Sequence, residues 1–204
     1  MEKTDLKKVH RAEYAPKNRS WELIDVPPAQ YLMIDGAGDP NTSPLYKTAV
    51  EALYSVSYAI KFLSKAEQRD FVVMPLEGLW HAADYGVFTR AEKDSFRWTM
   101  MIRQPEWIGQ EELQEGIDKA AKKCEFPDIR LATLSEGLCA QVLHIGSYDE
   151  EAPLLAQLHD EWMPERGLKF NGLHHEIYLS DPRRVGPERL KTVLRQPVSE
   201  YSPT

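Results

Sequence analysis

The segment from Leu173 to Pro182 constrains the fold most strongly, because it predicts a β-strand with two chemically different faces. Ile177, Tyr178 and Leu179 cluster in it and Asp181-Pro182 closes it, which is typical of a strand that ends in a turn. Successive side chains of a strand point to opposite faces. The two predicted faces are His174, Glu176 and Tyr178 on one side and the packing residues Leu173, His175, Ile177 and Leu179 on the other.

Glu176 is the unusual member of this strand. It lies between two ring-bearing neighbours in an apolar run, where a carboxylate is costly to bury unless it is paired, hydrogen-bonded or used. In one interpretation it bonds a neighbouring arginine or faces solvent. In the other it forms the floor of a pocket and meets a cationic ligand or a proton. The strand alone leaves both interpretations open.

The composition is that of an ordinary globular protein and excludes several functions. The chain has 204 residues, 42% of them hydrophobic and 28% charged, with a net charge of −7. Wholesale binding to a phosphate backbone is therefore not expected. No apolar run approaches the roughly 20 residues that span a bilayer, and residues 1–19 lack the apolar middle of a signal peptide. Cys124 and Cys139 have no metal or redox spacing. We expect a cytoplasmic protein that binds neither nucleic acid nor membranes.

Apolar runs and turn residues predict the order of the elements. Two strands are split by Pro27-Pro28, a helix with proline in its first turn follows, and Glu136-Gly137 turns a hairpin. The predicted strands cover residues 20–26, 30–35, 71–82, 96–103, 130–134, 138–145 and 173–180, and the predicted helices cover 44–63, 111–123, 153–163 and 187–194.

The two halves of this order echo each other. Each contains a strand pair, a glycine turn, a helix with proline in its first turn, one or more strands that end in a proline turn, and a closing helix. This predicts an α+β fold in which strand-helix-strand units are duplicated as two pseudo-symmetric halves, about 21–125 and 126–198. Residues 1–20 are a polar lead-in and 21–198 a single domain. A central ligand cleft is expected between the halves.

Aromatic residues on strands that border this groove are candidates for ligand contact. Trp98 alternates with Met100 on its strand, Trp80 lies near the end of another, and Tyr178 flanks Glu176. Aromatic faces attract cations and flat aromatic ligands. A carboxylate beneath them adds charge complementarity or a proton acceptor. The alternative is that these large side chains simply fill the core.

Other kinds of chemistry have no support in the sequence. His174 and His175 are adjacent on a strand, so their rings diverge and do not chelate one ion together. The segment Gly36-Ala37-Gly38 lacks the third glycine and the βαβ context of a phosphate loop. No serine or cysteine stands in a triad pattern. We therefore expect no metal and no cofactor.

Eight segments, taken in order along the chain, resemble one known family from about residue 21 to residue 198. They are Tyr31–Gly36, Gly38–Pro40, Val50–Tyr54, Pro75–Trp80, Trp98–Pro105, Glu136–Cys139, His174–Pro182 and Pro187–Thr192. They resemble the GyrI-like small-molecule-binding domain family. The resemblance implies a duplicated α+β unit with a central ligand cleft, in agreement with the repeat above.

The resemblance also implies a site. Some family members are effector domains joined to a DNA-binding domain, in which a buried glutamate recognises cationic drugs, and others stand alone. This chain has no room for a DNA-binding domain before Trp21 and is similar to the stand-alone branch, which includes hydrolases that open the cyclopropane of cyclopropanoid DNA-alkylating toxins with an aromatic cage. Glu176 matches the pocket glutamate and is the catalytic candidate. The ligand-binding candidates are Trp80, Trp98, Met100, His174 and Tyr178.

Three functions follow from this resemblance. The first is binding of planar or cationic hydrophobic small molecules with hydrolysis of a cyclopropanoid ring. The second is binding or sensing of xenobiotics without catalysis. Modulation of DNA gyrase, which the family name implies, ranks last because the sequence identifies no protein-binding surface and no protein partner.

Overall fold

The computed structural model describes residues 3–81, 96–121 and 127–201. Its strands are β1 (Glu22–Val26), β2 (Ala29–Ala37), β3 (Glu77–His81), β4 (Arg97–Arg103), β5 (Arg130–Leu134), β6 (Gly137–Ile145), β7 (Leu168–Phe170), β8 (His174–Tyr178) and β9 (Lys191–Glu200). Its α-helices are α1 (Leu6–Val9), α2 (Arg11–Tyr14), α3 (Pro44–Ala66), α4 (Gln110–Ala120) and α5 (Ala152–Gln157). A π-helical turn, Leu158–Trp162, extends α5. No helix within these ranges is both long enough and apolar enough to cross a bilayer.

The described strands form one antiparallel sheet, which confirms the predicted α+β class. Eight of them follow the order β1-β6-β9-β8-β3-β4-β2-β5, and β7 pairs with the end of β9. The last strand in the sequence, β9, therefore lies in the interior of the sheet between β6 and β8. Strands β3 and β8, which come from different predicted halves, pair with each other. The internal two-fold symmetry itself stays a prediction.

Helix α3 covers the first-half strands of one sheet face. Ser43 caps it by accepting a hydrogen bond from the Tyr46 N–H, and Pro44 occupies its first turn. Its apolar stripe, including Leu53 and Ile60, packs on β2, β4 and α4. Both side chains are fully buried, so truncating either to alanine costs about 2–5 kcal/mol.

Helix α5 and its π-helical extension cover the second-half strands of the same face. Leu155 and Leu158 pack against Val142 and Leu194, which lie opposite each other on β6 and β9. The two helical layers thus bury separate apolar clusters on a shared sheet. The strand pair β3–β8 lies between these two clusters.

The opposite face is partly covered by the N-terminal residues. Thr4 forms a β-bridge with Phe71, and Leu6, Glu13 and Tyr14 are buried although they lie in a polar stretch. Helices α1 and α2 are each only four residues long, so tertiary contacts hold them rather than helix propensity.

Two predicted elements differ from the structure. The predicted helix 187–194 is wrong, because only Pro187–Arg189 form a helical turn and Lys191 begins β9. Pairing of this segment with β6 and β8 overrides its local helical signals. The predicted strand 71–82 begins only at Glu77, and Ala82, Lys123 and Cys124 lie outside the described residues.

Candidate functional site

Glu176 lies at the junction between the two covered parts of the sheet. Residues opposite each other on neighbouring strands share a face, so one row crosses six strands: Ile34, Met100, Gly78, Glu176, Leu194 and Val142. One end of this row belongs to the cluster under α3 and the other to the cluster under α5. Glu176 keeps 13% of its side chain exposed. The predicted pocket glutamate is thus the carboxylate between the two layers.

Tyr178 and Trp80 form a hydrogen-bond chain that ends on Glu176. The Trp80 indole N–H donates to Tyr178 Oη at 3.2 Å, and the Tyr178 hydroxyl donates to Glu176 Oε2 at 2.7 Å. Burial and the adjacent Glu176 carboxylate raise the pKa of Tyr178 well above its usual value, so the phenol remains a proton donor. His174 Nε2 lies 3.4 Å from Glu176 Oε1. The structure therefore brings three of the predicted ligand-binding side chains to Glu176.

Trp98 and Met100 lie beside this cluster on the same sheet face, as the β4 partners of Trp80 and Gly78. Trp98 is 1% exposed and Met100 is fully buried. The Trp98 ring packs over Gly36, where an added Cβ would lie 2.1 Å from it, and its N–H donates to the Gly38 carbonyl. Tyr46 meets the Trp98 ring edge-on, with ring centroids 5.2 Å apart. Trp98 and Met100 are packed on the β4 side of the cluster, and direct contact of either with a ligand stays a prediction.

Tyr46 and Tyr148 are aromatic members of the site that the sequence analysis did not select. Burial raises the pKa of both phenols. The charge of Glu176 adds to this at Tyr46, and the charges of Glu151 and Glu176 add to it at Tyr148, whose pKa rises to about 12. Tyr148 meets Tyr178 edge-on, with ring centroids 5.8 Å apart, and is 41% exposed, so it lies on the solvent side of the cluster around Glu176. Tyr46 belongs to a helical stripe, and no sequence signal separated it from the core residues around it.

Gly78 is the cross-strand partner of Glu176 and provides space at the site. A Cβ at this position would lie 2.6 Å from Met100 Cε and 3.2 Å from the Tyr178 hydroxyl. Only a residue without a side chain lets this hydroxyl and the Trp80 N–H approach each other over β3. Gly78 has this role because it pairs with Glu176 across β3 and β8, and the sequence alone does not predict that pairing.

A second carboxyl, Glu151, belongs to the same cluster and was also missed. It directly precedes α5, it is 5% exposed, and Thr192, the cross-strand partner of Tyr178, lies near it. Burial, followed by the charge of Glu176, raises the pKa of Glu151 well above its ordinary value. Three acidic residues follow one another at 149–151, and no local pattern distinguishes the third from the other two.

The other face of β8 carries a different kind of polar cluster. His175 is fully buried, with Nδ1 3.0 Å from Glu136 Oε1 and Nε2 2.9 Å from Glu77 Oε2. Arg195 donates to Glu136, and the Tyr14 hydroxyl donates to Glu77. His175 thus lies on a buried face, as expected, but its partners there are two carboxylates rather than apolar side chains. Its partners lie at least 39 residues away in sequence, and the strand pattern holds no trace of them.

Carboxylates at both ring nitrogens require His175 to donate from both, which only the imidazolium can do. Burial alone would lower its pKa, but Glu136 and Glu77 raise the pKa of His175 to about 8. Burial likewise opposes ionisation of Glu136, yet His175 and Arg195 lower its pKa to about 2. These groups therefore remain charged and paired near neutral pH.

The same network holds the N-terminal residues against the sheet. Arg103 donates to Glu13 at 2.6 Å, and Arg195 donates to the Glu13 carbonyl at 3.2 Å. Gln141 accepts from Arg195 and donates to the Ala12 carbonyl. With His175 protonated, the buried charges balance as three acids and three cations: Glu13, Glu77 and Glu136 against Arg103, His175 and Arg195.

An open depression of about 600 Å³ lies on this second face, away from Glu176. Its wall includes Asp35, whose carboxylate accepts from Arg130 at 2.7 Å and from the Thr99 hydroxyl at 2.6 Å. These groups satisfy one another, so the depression presents no buried, unpaired polar side chain to a ligand. Within the described ranges, no group of three or more metal-binding side chains is arranged to hold an ion.

Comparisons with known proteins agree with this fold. The family profile described as the GyrI-like small molecule binding domain matches residues 20–199, so the chain belongs to this family. An uncharacterised conserved protein from Listeria innocua is 40% identical, with a TM-score of 0.87, over 97% of this chain and 100% of that one. A hydrolase from Listeria innocua is 38% identical, with a TM-score of 0.85 and the same coverage.

A more distant solved structure has the same fold. The EcmrR C-terminal domain has a TM-score of 0.56 at 13% identity, and the match covers 89% of this chain and 98% of that one. No functionally curated protein matches the chain.

Proposed function

We propose that this GyrI-like domain binds planar or cationic hydrophobic small molecules at Glu176 and hydrolyses the cyclopropane of cyclopropanoid DNA-alkylating toxins. The observation that carries the proposal is a partly exposed carboxylate, held by Tyr178, between two helical layers and beside aromatic rings. The description of the family as small-molecule-binding and the similar proteins named hydrolases support it.

Aromatic contact explains how such a ligand binds. A flat conjugated ring system can stack on or between the rings of Tyr148, Tyr178 and Trp80, since aromatic faces favour flat and cationic partners. The carboxylate of Glu176 adds attraction for positive charge where little water reduces it. Shape and charge together therefore select flat, apolar molecules over small polar ones.

The proposed reaction is water addition to the strained ring. Glu176 accepts a proton from a water molecule, whose oxygen forms a bond to a cyclopropane carbon. The ring C–C bond breaks, and its electron pair passes through the conjugated system to a carbonyl oxygen, which takes up a proton. Tyr178 already donates to Oε2, so we assign the water to Oε1, which has His174 Nε2 at 3.4 Å. A positioned base of this kind contributes about 10²–10⁴-fold in rate.

Non-catalytic binding is the second candidate, because the family description names binding rather than catalysis. It uses the same cleft and the same aromatic contacts, so a xenobiotic would be sequestered or sensed without bond breakage. Product formation separates the two candidates.

The test is mass spectrometry of the purified protein incubated with a cyclopropanoid alkylator. We expect a product heavier by one water, formed with multiple turnovers, and a rate about 10²–10⁴-fold lower for Glu176→Gln. The matched control is Glu51→Gln, since Glu51 is 66% exposed on α3. A full rate in Glu176→Gln would remove Glu176 as the base. Ligand that is retained unchanged would favour the binding protein.

A further inference from the structure

Glu151 differs from the two acidic residues that precede it. Glu150 completes a cap, because its Oε2 accepts from the N–H and the hydroxyl of Ser147 at 2.8 and 3.0 Å. Asp149 and Glu150 are exposed, whereas Glu151 is buried at the start of α5. The cap fixes the short helical turn Tyr148–Glu150, which holds Glu151 inward and Tyr148 against Tyr178. Local structure thus buries one carboxyl of the three near Glu176.

Two buried polar atoms, one in this carboxyl and one beside it, make no hydrogen bond of good geometry. Within the described ranges, neither Glu151 Oε1 nor the Thr192 hydroxyl has a partner at the distance and angle of a hydrogen bond, although the two residues are 5% and 1% exposed. Thr192 lies close enough to Glu151 to act against burial and lower the pKa of the carboxyl, but burial outweighs it. Buried polar groups in native proteins are nearly always hydrogen-bonded, and an unpaired one is costly. Thr192 pairs across the sheet with Tyr178, which itself donates to Glu176. The unsatisfied atoms therefore border the proposed ligand site.

The charges around Glu151 favour its protonated form. The groups that face it are Glu176, Asp149, Tyr148 and Tyr178, all of them acidic or neutral. In the part of the chain that the structure describes, no lysine, arginine or histidine makes an ion pair with it. Two carboxyls that share a buried site do not both ionise readily, so one keeps a proton. The more buried Glu151 is that one, and a protonated carboxyl is a hydrogen-bond donor.

We propose that Glu151 is a second functional carboxyl of the cleft, which gives a hydrogen bond, and during turnover a proton, to a carbonyl oxygen of the ligand. The proton-transfer part rests on the proposed hydrolysis. There, Glu176 takes the proton of water, the C–O bond forms, and the cyclopropane C–C bond breaks. The carbonyl oxygen that receives the electron pair takes the proton of Glu151. A later proton transfer from Glu176 to Glu151 restores both groups, and the net change is addition of one water.

A donor carboxyl at Glu151 favours ligands that carry a hydrogen-bond acceptor. A site with one ionised carboxylate and one neutral carboxyl donor fits a planar conjugated molecule that carries a carbonyl acceptor. A hydrophobic cation without an acceptor would leave Glu151 and Thr192 unpaired and would bind less well. The two carboxyls therefore have different tasks, as acceptor and donor, which is the usual division in acid–base sites.

Three variants test this. Glu151→Gln keeps a donor but cannot give a proton, Glu151→Leu keeps neither, and exposed Glu165→Gln is the control. With a cyclopropanoid alkylator, we expect Glu151→Gln to bind within about 3-fold of wild type but to turn over about 10²-fold more slowly. Glu151→Leu should bind at least about 10-fold more weakly. The rate of wild type should fall at alkaline pH as Glu151 ionises, and Glu151→Gln should lose this alkaline limb.

A ligand-free measurement separates this inference from the proposed hydrolysis. Infrared spectra at about pH 6, where exposed carboxyls are ionised, should contain a protonated-carboxyl band that Glu151→Gln lacks. If wild type binds the alkylator without turnover, hydrolysis fails, while the band and the weak binding of Glu151→Leu still support the donor. A missing band, wild-type binding by Glu151→Leu, or an unchanged alkaline limb in Glu151→Gln would overturn the inference.

Discussion

His175 and Glu176 are neighbours on β8, yet their side chains enter opposite environments. His175 has a carboxylate at each ring nitrogen and belongs to a network with balanced charge. Glu176 contacts the Tyr178 hydroxyl and the His174 ring, keeps 13% of its side chain exposed, and lies near a second carboxyl with an unsatisfied atom. One face of the strand is complete without a ligand, and the other is not.

Completeness of pairing distinguishes structural from functional polar groups in a buried setting. Complete pairing on the His175 face joins β8, β9 and the N-terminal residues, and it leaves no atom for an incoming molecule. Incomplete pairing on the Glu176 face costs stability, which a protein tolerates where binding or chemistry makes use of it. Variants on the first face should therefore change folding, and variants on the second should change binding and turnover.

Removal of a charged partner on the His175 face should destabilise the protein most. Arg195→Met leaves the charge of Glu136 buried without its guanidinium partner, so the free energy of unfolding should fall by about 3–5 kcal/mol. Urea denaturation measures it. Exposed Arg183→Met is the matched control, and its free energy of unfolding should change by less than about 0.5 kcal/mol. A small effect of Arg195→Met would contradict a tightly coupled network.

The second prediction concerns pH and the same face. The pKa of His175 is raised from 6.5 to about 8, so its contribution to stability is fully present below pH 6.5 and is lost as pH rises through 8. The loss should be about 2 kcal/mol. Denaturation is measured across this range in Glu151→Gln, so that the cleft carboxyl does not titrate. Stability that is constant from pH 6 to 9 would argue against a buried imidazolium.

The third prediction concerns crowding on the sheet face that carries Glu176. Gly78→Ala places a methyl group 2.6 Å from Met100 Cε and 3.2 Å from the Tyr178 hydroxyl, so overpacking should cost about 1–3 kcal/mol. Turnover and ligand binding should fall as well, because the Tyr178–Glu176 hydrogen bond is displaced. The comparison variant is Gly167→Ala, where nothing lies within 4 Å of an added Cβ but φ is +62°. Its loss of stability measures backbone strain without crowding, whereas that of Gly78→Ala measures crowding. A stable Gly78→Ala with full binding would mean that the site adapts.

The smallest expected effect on stability comes from Tyr178→Phe, which removes the hydrogen bond to Glu176 and keeps the ring. The free energy of unfolding should change by about 1 kcal/mol or less, because the site is partly open to water. Turnover should change more than stability, since the hydroxyl that positions the Glu176 carboxyl is removed. We expect a rate about 10-fold lower than that of wild type, measured by product formation. An unchanged rate would mean that this hydrogen bond does not position Glu176 for the reaction.

The sequence predicted the features that depend on local pattern. The alternation on β8 placed His174, Glu176 and Tyr178 on one face, and the order of strands and helices indicated the α+β class. It failed for residues 187–194, where Pro187 and the following residues favour a helix locally. There, pairing with β6 and β8 decides the conformation instead.

Most of the missed site residues depend on long-range register. Gly78 is defined by its position opposite Glu176, and Thr192 by its position opposite Tyr178. The His175 network joins positions 39 to 98 residues apart, and its link from Arg195 to Glu13 spans 182 residues. No periodicity within a strand carries that information.

The interior position of β9 has a consequence for synthesis of the chain. Strands β6 and β8 each lack a neighbour until β9 is made, and Glu13 is synthesised 182 residues before its partner Arg195. Closure of the sheet is therefore a late, non-local event, which is slow and leaves strand edges open to wrong partners. A chain released before Lys191 lacks the strand that joins β6 to β8, and it should be a substrate for chaperones and proteases rather than a shortened active protein.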